Sequence, residues 1–277
     1  MPKFVSELAH TEAKRHATTN KNRTTKPLLV GLLVQGSVRD FFQYFQYYKK
    51  NVVDAIATNV ETFFHMRTEE LAKNGTTRSF RQILTVDEMK LLHVVELRVT
   101  ADDLHWKRSC VCRRQHLYMQ GFQNRIESLA WFHSVITARE NRMGRLYDAF
   151  MATRCDLYFH EKLPDFSHFR YLIASTHPRV YYDRDHIWLV PRELMDVFIY
   201  PQRRFISECF ALNRSRCVFY SSEYYMRSVF DERKVPCVVT NFSSVSVKNH
   251  TRMGGASYDS LLKTCRSTDE IQREAFQ

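Results

Sequence analysis

The chain has 277 residues, of which 44% are hydrophobic and 13% aromatic, and its formal net charge is +11. This composition can supply a large buried core, and with seven glycines and seven prolines it excludes a collagen-like or low-complexity protein. The positive charge suits a polyanionic partner, namely a nucleic acid, an acidic membrane surface or a nucleoside diphosphate, and does not choose among them.

The seven cysteines are scattered along the chain. Cys110 and Cys112 form the closest pair, without a second pair at zinc spacing, so we expect reduced thiols in an intracellular protein. No apolar stretch approaches the roughly 20 residues of a membrane span, and no secretory signal is recognisable. A cytoplasmic protein, peripheral to a membrane if it works at one, is the expectation.

The first half of the chain begins with a basic, polar segment, residues 1–26, which is predicted to be a flexible tail. The apolar run Leu28–Val34 predicts a strand buried on both faces. A turn containing Gly36, a helical pattern over Val38–Ala57 and a strand at Val60–His65 follow. Strand, turn, helix and strand together indicate a βαβ unit.

The remaining elements continue this alternation up to residue 249, and residues 250–277 are predicted to be a polar C-terminal tail. Further strands are predicted at 93–99, 147–153, 169–174, 186–190 and 235–242, and further helices at 87–92, 115–140, from 191, 204–212 and 222–232. The pattern predicts a single three-layer α/β/α domain, Rossmann-like, with a mostly parallel sheet over residues 27–249. Ligands of such sheets bind beyond the carboxyl ends of the strands.

A first candidate cluster, Gln35-Gly36-Ser37-Val38-Arg39, follows the first predicted strand. Glycine lets a ligand approach the backbone, and the next helix offers free N–H groups to an anion. Arg39 is placed to pair with a phosphate or a carboxylate. The cluster matches neither G-x-G-x-x-G nor a P-loop, and an ordinary βα turn with a surface arginine remains the alternative.

A second cluster, Arg154-Cys155-Asp156, follows the strand predicted at 147–153. A carboxylate leaving a buried strand suits a divalent metal that carries a diphosphate. Arg154 would add positive charge for departing phosphates. A local ion pair that closes the strand is the alternative.

The third cluster is Asp183-Arg184-Asp185, ahead of the strand predicted at 186–190. Two carboxylates at this spacing can converge on sugar hydroxyls, on a metal ion or on a proton to be abstracted. A charged turn is the alternative. His65 and His186 lie near predicted strand ends, but a lone histidine is more often structural.

The stretches LLVGLLVQGSVRDF, YDAFMATRCDLYF, DRDHIWLVPREL and SSEYYMRSVF occur in this order. Their order and spacing resemble a family of GT-A-like glycosyltransferases found in algae, large algal viruses and microbial polysaccharide clusters. The resemblance spans roughly residues 28–245. It implies a nucleotide-sugar donor, by default a UDP-sugar with UDP-xylose as one candidate, and a glycan or glycoprotein acceptor.

The resemblance also implies roles for particular residues. The donor would be held by a set from the three clusters, namely Gln35, Gly36, Arg39, Arg154, Asp183 and Arg184. Asp156 would bind Mn²⁺ or Mg²⁺, although Arg154 stands where such enzymes usually carry the first acid of Asp-x-Asp. Asp185 or Glu223 would take the acceptor's proton if the reaction inverts the anomeric centre.

Two other readings stay open. The net charge and the Tyr- and Arg-rich segment 200–204 suit a basic nucleic-acid-binding module, but no RNP, KH or zinc-finger pattern accompanies them, so nucleic acid is an unlikely partner. The missing first acid of Asp-x-Asp suits a catalytically inactive interaction protein that keeps the GT-A core.

Overall fold

A computed structural model of the chain describes eleven stretches: residues 27–38, 41–56, 59–71, 77–101, 116–159, 162–163, 178–183, 186–211, 222–239, 245–246 and 266–267. The predicted N-terminal tail and the strand predicted at 169–174 lie outside these residues. Of the predicted C-terminal tail, Arg266–Ser267 is described and forms a short strand.

The described strands are β1 (Leu29–Ser37), β2 (Asn59–Arg67), β3 (Glu69–Leu71), β4 (Thr77–Ser79), β5 (Val94–Thr100), β6 (Ala149–Arg154), β7 (Tyr158–Phe159), β8 (Val180–Asp183), β9 (Ile187–Pro191), β10 (Cys237–Val239), β11 (Val245–Ser246) and β12 (Arg266–Ser267). Two small pairs, β3 with β4 and β7 with β11, stand apart from one larger sheet. The strand predicted at the first apolar run is confirmed and extends three residues further, to Ser37.

The described helices are α1 (Phe41–Tyr48), α2 (Val86–Leu91), α3 (His116–Met143), α4 (Tyr200–Ala211) and α5 (Ser222–Glu232). A π-helical turn, Lys49–Val53, continues α1, and a 3₁₀ helix, Arg192–Phe198, stands where a helix was predicted after Pro191. No helix in the described stretches combines the length and apolar character that crossing a membrane requires.

The larger sheet has the strand order β12-β10-β8-β9-β6-β1-β2-β5. Neighbours pair in parallel except at β9, which runs antiparallel to both β6 and β8. The prediction of a mostly parallel α/β sheet is therefore confirmed. The segment Val180–Asp183, which was predicted to precede a strand, is itself a strand that pairs with β9.

Helices cover the sheet from both faces, and alternate residues of β1 enter two separate cores. Val30, Leu32 and Val34 pack with Phe41 and other side chains of α1. On the opposite face, Leu29 and Leu33 pack with apolar side chains of α3, which are Ile126, Leu129, Phe132 and Ile136. The continuous apolar run in the sequence is explained by this two-sided burial.

Near the amino-terminal end of the sheet, ion pairs join α3 to β2 and the 3₁₀ helix to α3. Arg139 donates two hydrogen bonds to Glu61 of β2, at 3.0 and 2.8 Å, and the Tyr147 hydroxyl donates to the same carboxylate. Arg192 donates two more, both 2.7 Å, to the buried carboxylate of Glu140. These pairs hold the scaffold at the end opposite the predicted site.

Candidate functional site

The strands β1 and β6 lie side by side, and the order of the strands along the chain runs outward in opposite directions from this pair. From β1 the sheet continues through β2 to β5 on one side, whereas from β6 it continues through β9 and β8 on the other. In open α/β sheets such a switch point leaves a crevice at the carboxyl ends of the strands, and ligands bind there. The described residues of the first two predicted clusters, Gln35–Val38 and Arg154–Asp156, lie at the ends of β1 and β6, where this rule places the crevice.

Backbone contacts join the two clusters directly. The Cys155 N–H donates to the Gln35 carbonyl at 2.9 Å, and the Cys155 thiol lies 3.1 Å from the Ser37 carbonyl. Gly36 sits between them with φ of +135°, and a Cβ at this position would lie 3.1 Å from Cys155 Sγ and 3.9 Å from Asp156 Oδ1. Glycine is favoured here because any other residue would be strained by the backbone angle and would crowd the Cys155 sulfur.

Arg154 and Asp156 form a two-pronged ion pair at the end of β6. Arg154 Nε donates to Asp156 Oδ1 at 2.8 Å, and Arg154 Nη2 donates to Oδ2 at 2.6 Å. Their side chains are 23% and 12% exposed, so the pair is largely shielded from solvent. The local ion pair that the sequence left open as an alternative is therefore present, and it fixes the direction of the arginine.

The described residues do not complete a site for Mn²⁺ or Mg²⁺. These ions take about six oxygen ligands, and both oxygens of Asp156 already accept hydrogen bonds from Arg154. Within the described stretches, no group of three or more His, Cys, Asp or Glu side chains is arranged to hold a metal ion. The guanidinium also places a positive charge where the cation would sit.

Three buried oxygen atoms at the ends of β1 and β6 have no hydrogen-bond partner among the described residues. They are Gln35 Oε1, Ser37 Oγ and Thr153 Oγ1, on residues no more than 6% exposed, and no described group bonds to them. Buried polar groups in native proteins are normally bonded to protein or to ordered water. A polar ligand or water molecules at the crevice would satisfy them.

His65 stands beside Gln35 in the register of β1 and β2, and its contacts are those of a structural residue. Its ring nitrogens lie 2.8 Å from Ser128 Oγ and 3.0 Å from Thr100 Oγ1. The Ser128 hydroxyl donates to the Asn124 carbonyl, so the His65 Nδ1–H must donate to Ser128. Burial, then the charges of Arg98 and Arg67, lower the pKa of His65 to about 3, so the ring is neutral.

Arg67, at the carboxyl end of β2, was not among the site residues predicted from the sequence. It is the register partner of Ser37, and its charge acts on Cys155. The pKa of Cys155 is raised by burial and by Asp156, although Arg67 and Arg154 act in the opposite direction. The thiol is therefore protonated, and it serves the site by packing rather than as a nucleophile.

The third cluster begins at the same edge of the sheet. Asp183 is the last residue of β8 and pairs in register with Ile187, which in turn pairs with Thr153 of β6. Because β9 runs in the reverse direction, the end of β8 and the start of β9 lie on the side where β1 and β6 end.

Four predicted site residues contribute little to the described geometry. Arg39, Arg184 and Asp185 lie outside the described residues. Glu223 belongs to the first turn of α5, and its side chain, like that of Asp183, is not among those described. The structure thus brings together Gln35, Gly36, Arg154 and Asp156, with the backbone of Asp183 at the same edge.

Similarity to known proteins gives no further guidance to the site. Comparison of the chain with protein-family models found no match, and comparison with curated proteins found none either. The chemistry of the crevice therefore has to be argued from its own residues.

Proposed function

We propose that this chain is a glycosyltransferase, with a GT-A-like fold, that moves a sugar from a nucleotide-sugar donor to a glycan acceptor. The observation that carries the proposal is the junction of Gln35–Ser37 with Arg154–Asp156 at the switch point of the sheet. A UDP-sugar is the default donor, with UDP-xylose as one candidate. The order of sequence motifs that resembles GT-A-like enzymes supports the same choice.

Sugar transfer breaks the bond between a glycosyl carbon and a diphosphate, so negative charge grows on the departing diphosphate. Fixed positive groups that are already oriented stabilise such charge best, because they need no reorganisation during the reaction. Arg154 is oriented by Asp156 and partly exposed at the crevice. In the proposal Arg154 and Arg39 contact the diphosphate, and Gly36 allows the end of β1 to pack closely against the turn that carries Arg154 and Asp156.

The residues of the third cluster and Glu223 take the remaining roles in the proposal, which are binding of the donor sugar and removal of the acceptor's proton. Asp183 and Arg184 would bind the donor sugar, and either Asp185 or Glu223 would take the proton from the acceptor hydroxyl. The position of Asp183 at the common edge supports the first assignment. The expected Mn²⁺ or Mg²⁺ receives no step in this proposal, because the described residues do not complete a cation site.

One observation favours a second candidate, a catalytically inactive interaction protein with the same fold. Asp156 is engaged by Arg154, and Arg154 stands where the first acid of Asp-x-Asp would be. The two positions therefore do not offer two carboxylates to a metal ion. Such a protein would bind a partner at the crevice without cleaving a donor. Donor cleavage distinguishes the two candidates.

The test is a screen of nucleotide sugars with the purified full-length protein, with and without Mn²⁺ or Mg²⁺, in which chromatography measures the release of nucleoside diphosphate. We expect release from at least one UDP-sugar. Arg154→Ala and Asp156→Asn should each slow it by about 100-fold or more, the size expected for losing an oriented charge.

Arg142→Ala is the matched control, because Arg142 pairs with Glu96 at 2.6 Å on an exposed surface near the amino-terminal end of the sheet. That variant should retain full activity. Unchanged turnover in Asp156→Asn would contradict the assigned site. Binding without cleavage of any donor would favour the inactive interaction protein.

A further inference from the structure

The ion pair at the end of β6 has features that a merely solvent-exposed pair lacks. Asp156 is 12% exposed, and both of its oxygens accept from one guanidinium. The flanking residue, Cys155, is tied at its N–H and its thiol to the backbone of β1. The Arg154 guanidinium therefore has little freedom to leave, and its carboxylate partner has little freedom to turn toward another ligand.

A divalent ion at Asp156 would have to break this arrangement. It would displace two charge-assisted hydrogen bonds, which are among the stronger ones in proteins. It would also come to lie next to the guanidinium, where like charges repel strongly in a partly buried site. Mg²⁺ in particular gives up its own water reluctantly, so a single engaged carboxylate is a poor ligand for it.

We propose that Arg154 itself occupies the place of the cation, so that the site binds a nucleoside diphosphate without a divalent metal ion, and that Asp156 is a positioning residue for Arg154. This inference rests on the proposed function, since it specifies how the crevice holds the diphosphate. Arg67 adds a second positive charge at this edge of the sheet, because it ends β2 as the register partner of Ser37. No metal ion is needed to bind the diphosphate, because Asp156 already orients the Arg154 guanidinium.

The experiment measures UDP binding to the full-length protein by calorimetry, first in EDTA and then with excess MnCl₂ or MgCl₂. We expect dissociation constants within about threefold of each other in the two conditions. Arg154→Ala should weaken binding by at least about tenfold, the usual scale for one charged hydrogen bond to phosphate. Arg154→Lys should recover part of the loss, because it keeps the charge without the fork geometry.

A double-mutant cycle separates positioning from metal ligation. If Asp156 acts through Arg154, then Asp156→Asn weakens UDP binding in the wild-type background and has little further effect in Arg154→Ala. The double variant also removes both charges, so it avoids leaving a shielded carboxylate alone, and thermal unfolding checks its fold. As an independent readout, electron paramagnetic resonance of Mn²⁺ titrated with UDP should give the same spectrum with and without the protein, because only the Mn²⁺–UDP complex and the free ion are then present.

The outcomes are distinct. UDP binding that vanishes in EDTA, returns with Mn²⁺ in the wild type and fails to return in Asp156→Asn would overturn the inference and leave the glycosyltransferase proposal standing. Equal losses from Asp156→Asn with and without Arg154 would also overturn it. Absence of UDP binding under both conditions would count against the inference and against a UDP-sugar donor together.

Discussion

Arg154 and Asp156 determine each other's chemistry at the end of β6. The carboxylate aims the guanidinium, and the guanidinium occupies both carboxylate oxygens. Neither side chain has the role that it would have alone, which would be a mobile surface arginine or an open metal ligand. Pairing at a spacing of two residues thus fixes the orientation of the guanidinium at the end of the strand.

His65 gives a residue-scale prediction about pH. Its pKa in the folded chain is lowered to about 3 from 6.5, so the unfolded chain binds more protons between these values. Stability therefore falls as the pH drops below about 6.5, by roughly 1.4 kcal/mol at pH 5.5 from this group alone. Urea unfolding at pH 7.5 and pH 5.5 measures the loss.

The control for this prediction is His65→Asn, which has no proton to gain in this range. The variant should lose about 1.4 kcal/mol less than the wild type between the two pH values, after its own lower starting stability is subtracted. The facing charges, Arg98 and Arg67, remain in both proteins. Identical pH slopes would mean that His65 is not held neutral by its surroundings.

At the scale of elements, β1 connects the scaffold to the site. At its start, the Leu29 N–H donates to Asp148 Oδ2 at 2.7 Å, which aligns β1 with β6. Its middle is buried on both faces, and its end places the Gln35 carbonyl and Gly36 against the turn after β6. Substitutions at the carboxyl end of β1 should therefore disturb the crevice more than the core.

Gly36→Ala tests this element directly. A side chain here meets a φ of +135° and a Cys155 Sγ contact of 3.1 Å, so we expect the free energy of unfolding to fall by about 1–3 kcal/mol. Gly144→Ala is the matched control, because Gly144 also has a positive φ of +62° but no atom within 4 Å of the added carbon. It should cost about 1 kcal/mol.

Urea unfolding of both glycine variants gives the free energies, and UDP calorimetry gives the effect on the crevice. We expect Gly36→Ala to weaken UDP binding and Gly144→Ala to leave it unchanged. If the two variants behaved alike in both measurements, the close packing of the two strand ends would not matter for the site.

At the scale of the whole molecule, the sheet separates the described buried residues into two cores. Phe41 belongs to the α1 side, where its ring packs 5.3 Å from that of Phe64, and Phe132 belongs to the α3 side. Each is no more than 1% exposed. Because the sheet separates them, a defect in one core should not relax the other.

Additivity of two substitutions tests this separation. Phe41→Leu and Phe132→Leu should each lower the free energy of unfolding by about 1–2 kcal/mol. The double variant should lose the sum to within about 0.5 kcal/mol, as is usual for independent sites. Equilibrium urea unfolding measures all three, and a deviation above 1 kcal/mol would show that the two cores are coupled.

The sequence predicted the positions of most described elements well, because apolar runs and helical periodicity are local signals. It missed the direction of β9 and the strand Val180–Asp183, since strand direction depends on which neighbours a segment pairs with. The predicted second strand ended at His65, two residues before the strand does, and Arg67 was therefore not counted at the edge.

The site was predictable only as far as strand ends reveal it. The rule that ligands bind at carboxyl ends selected Gly36, Arg154 and Asp156, and these do lie together. The sequence left the Arg154–Asp156 pairing open beside metal binding, because the same spacing serves both. Which one forms depends on burial and on the contacts of Cys155, and both require the folded chain.

The reversed course of β9 has a consequence for redesign. Both β8, which ends at Asp183, and β9, which starts at Ile187, lie inside the sheet, and their adjoining ends are at the edge where β1 and β6 end. Replacing the connection between β8 and β9 with a longer or differently charged one would change which ligand binds, whereas the barrier to unfolding should stay the same. Selection from a library of sequences for this connection is thus the most direct way to change the ligand specificity.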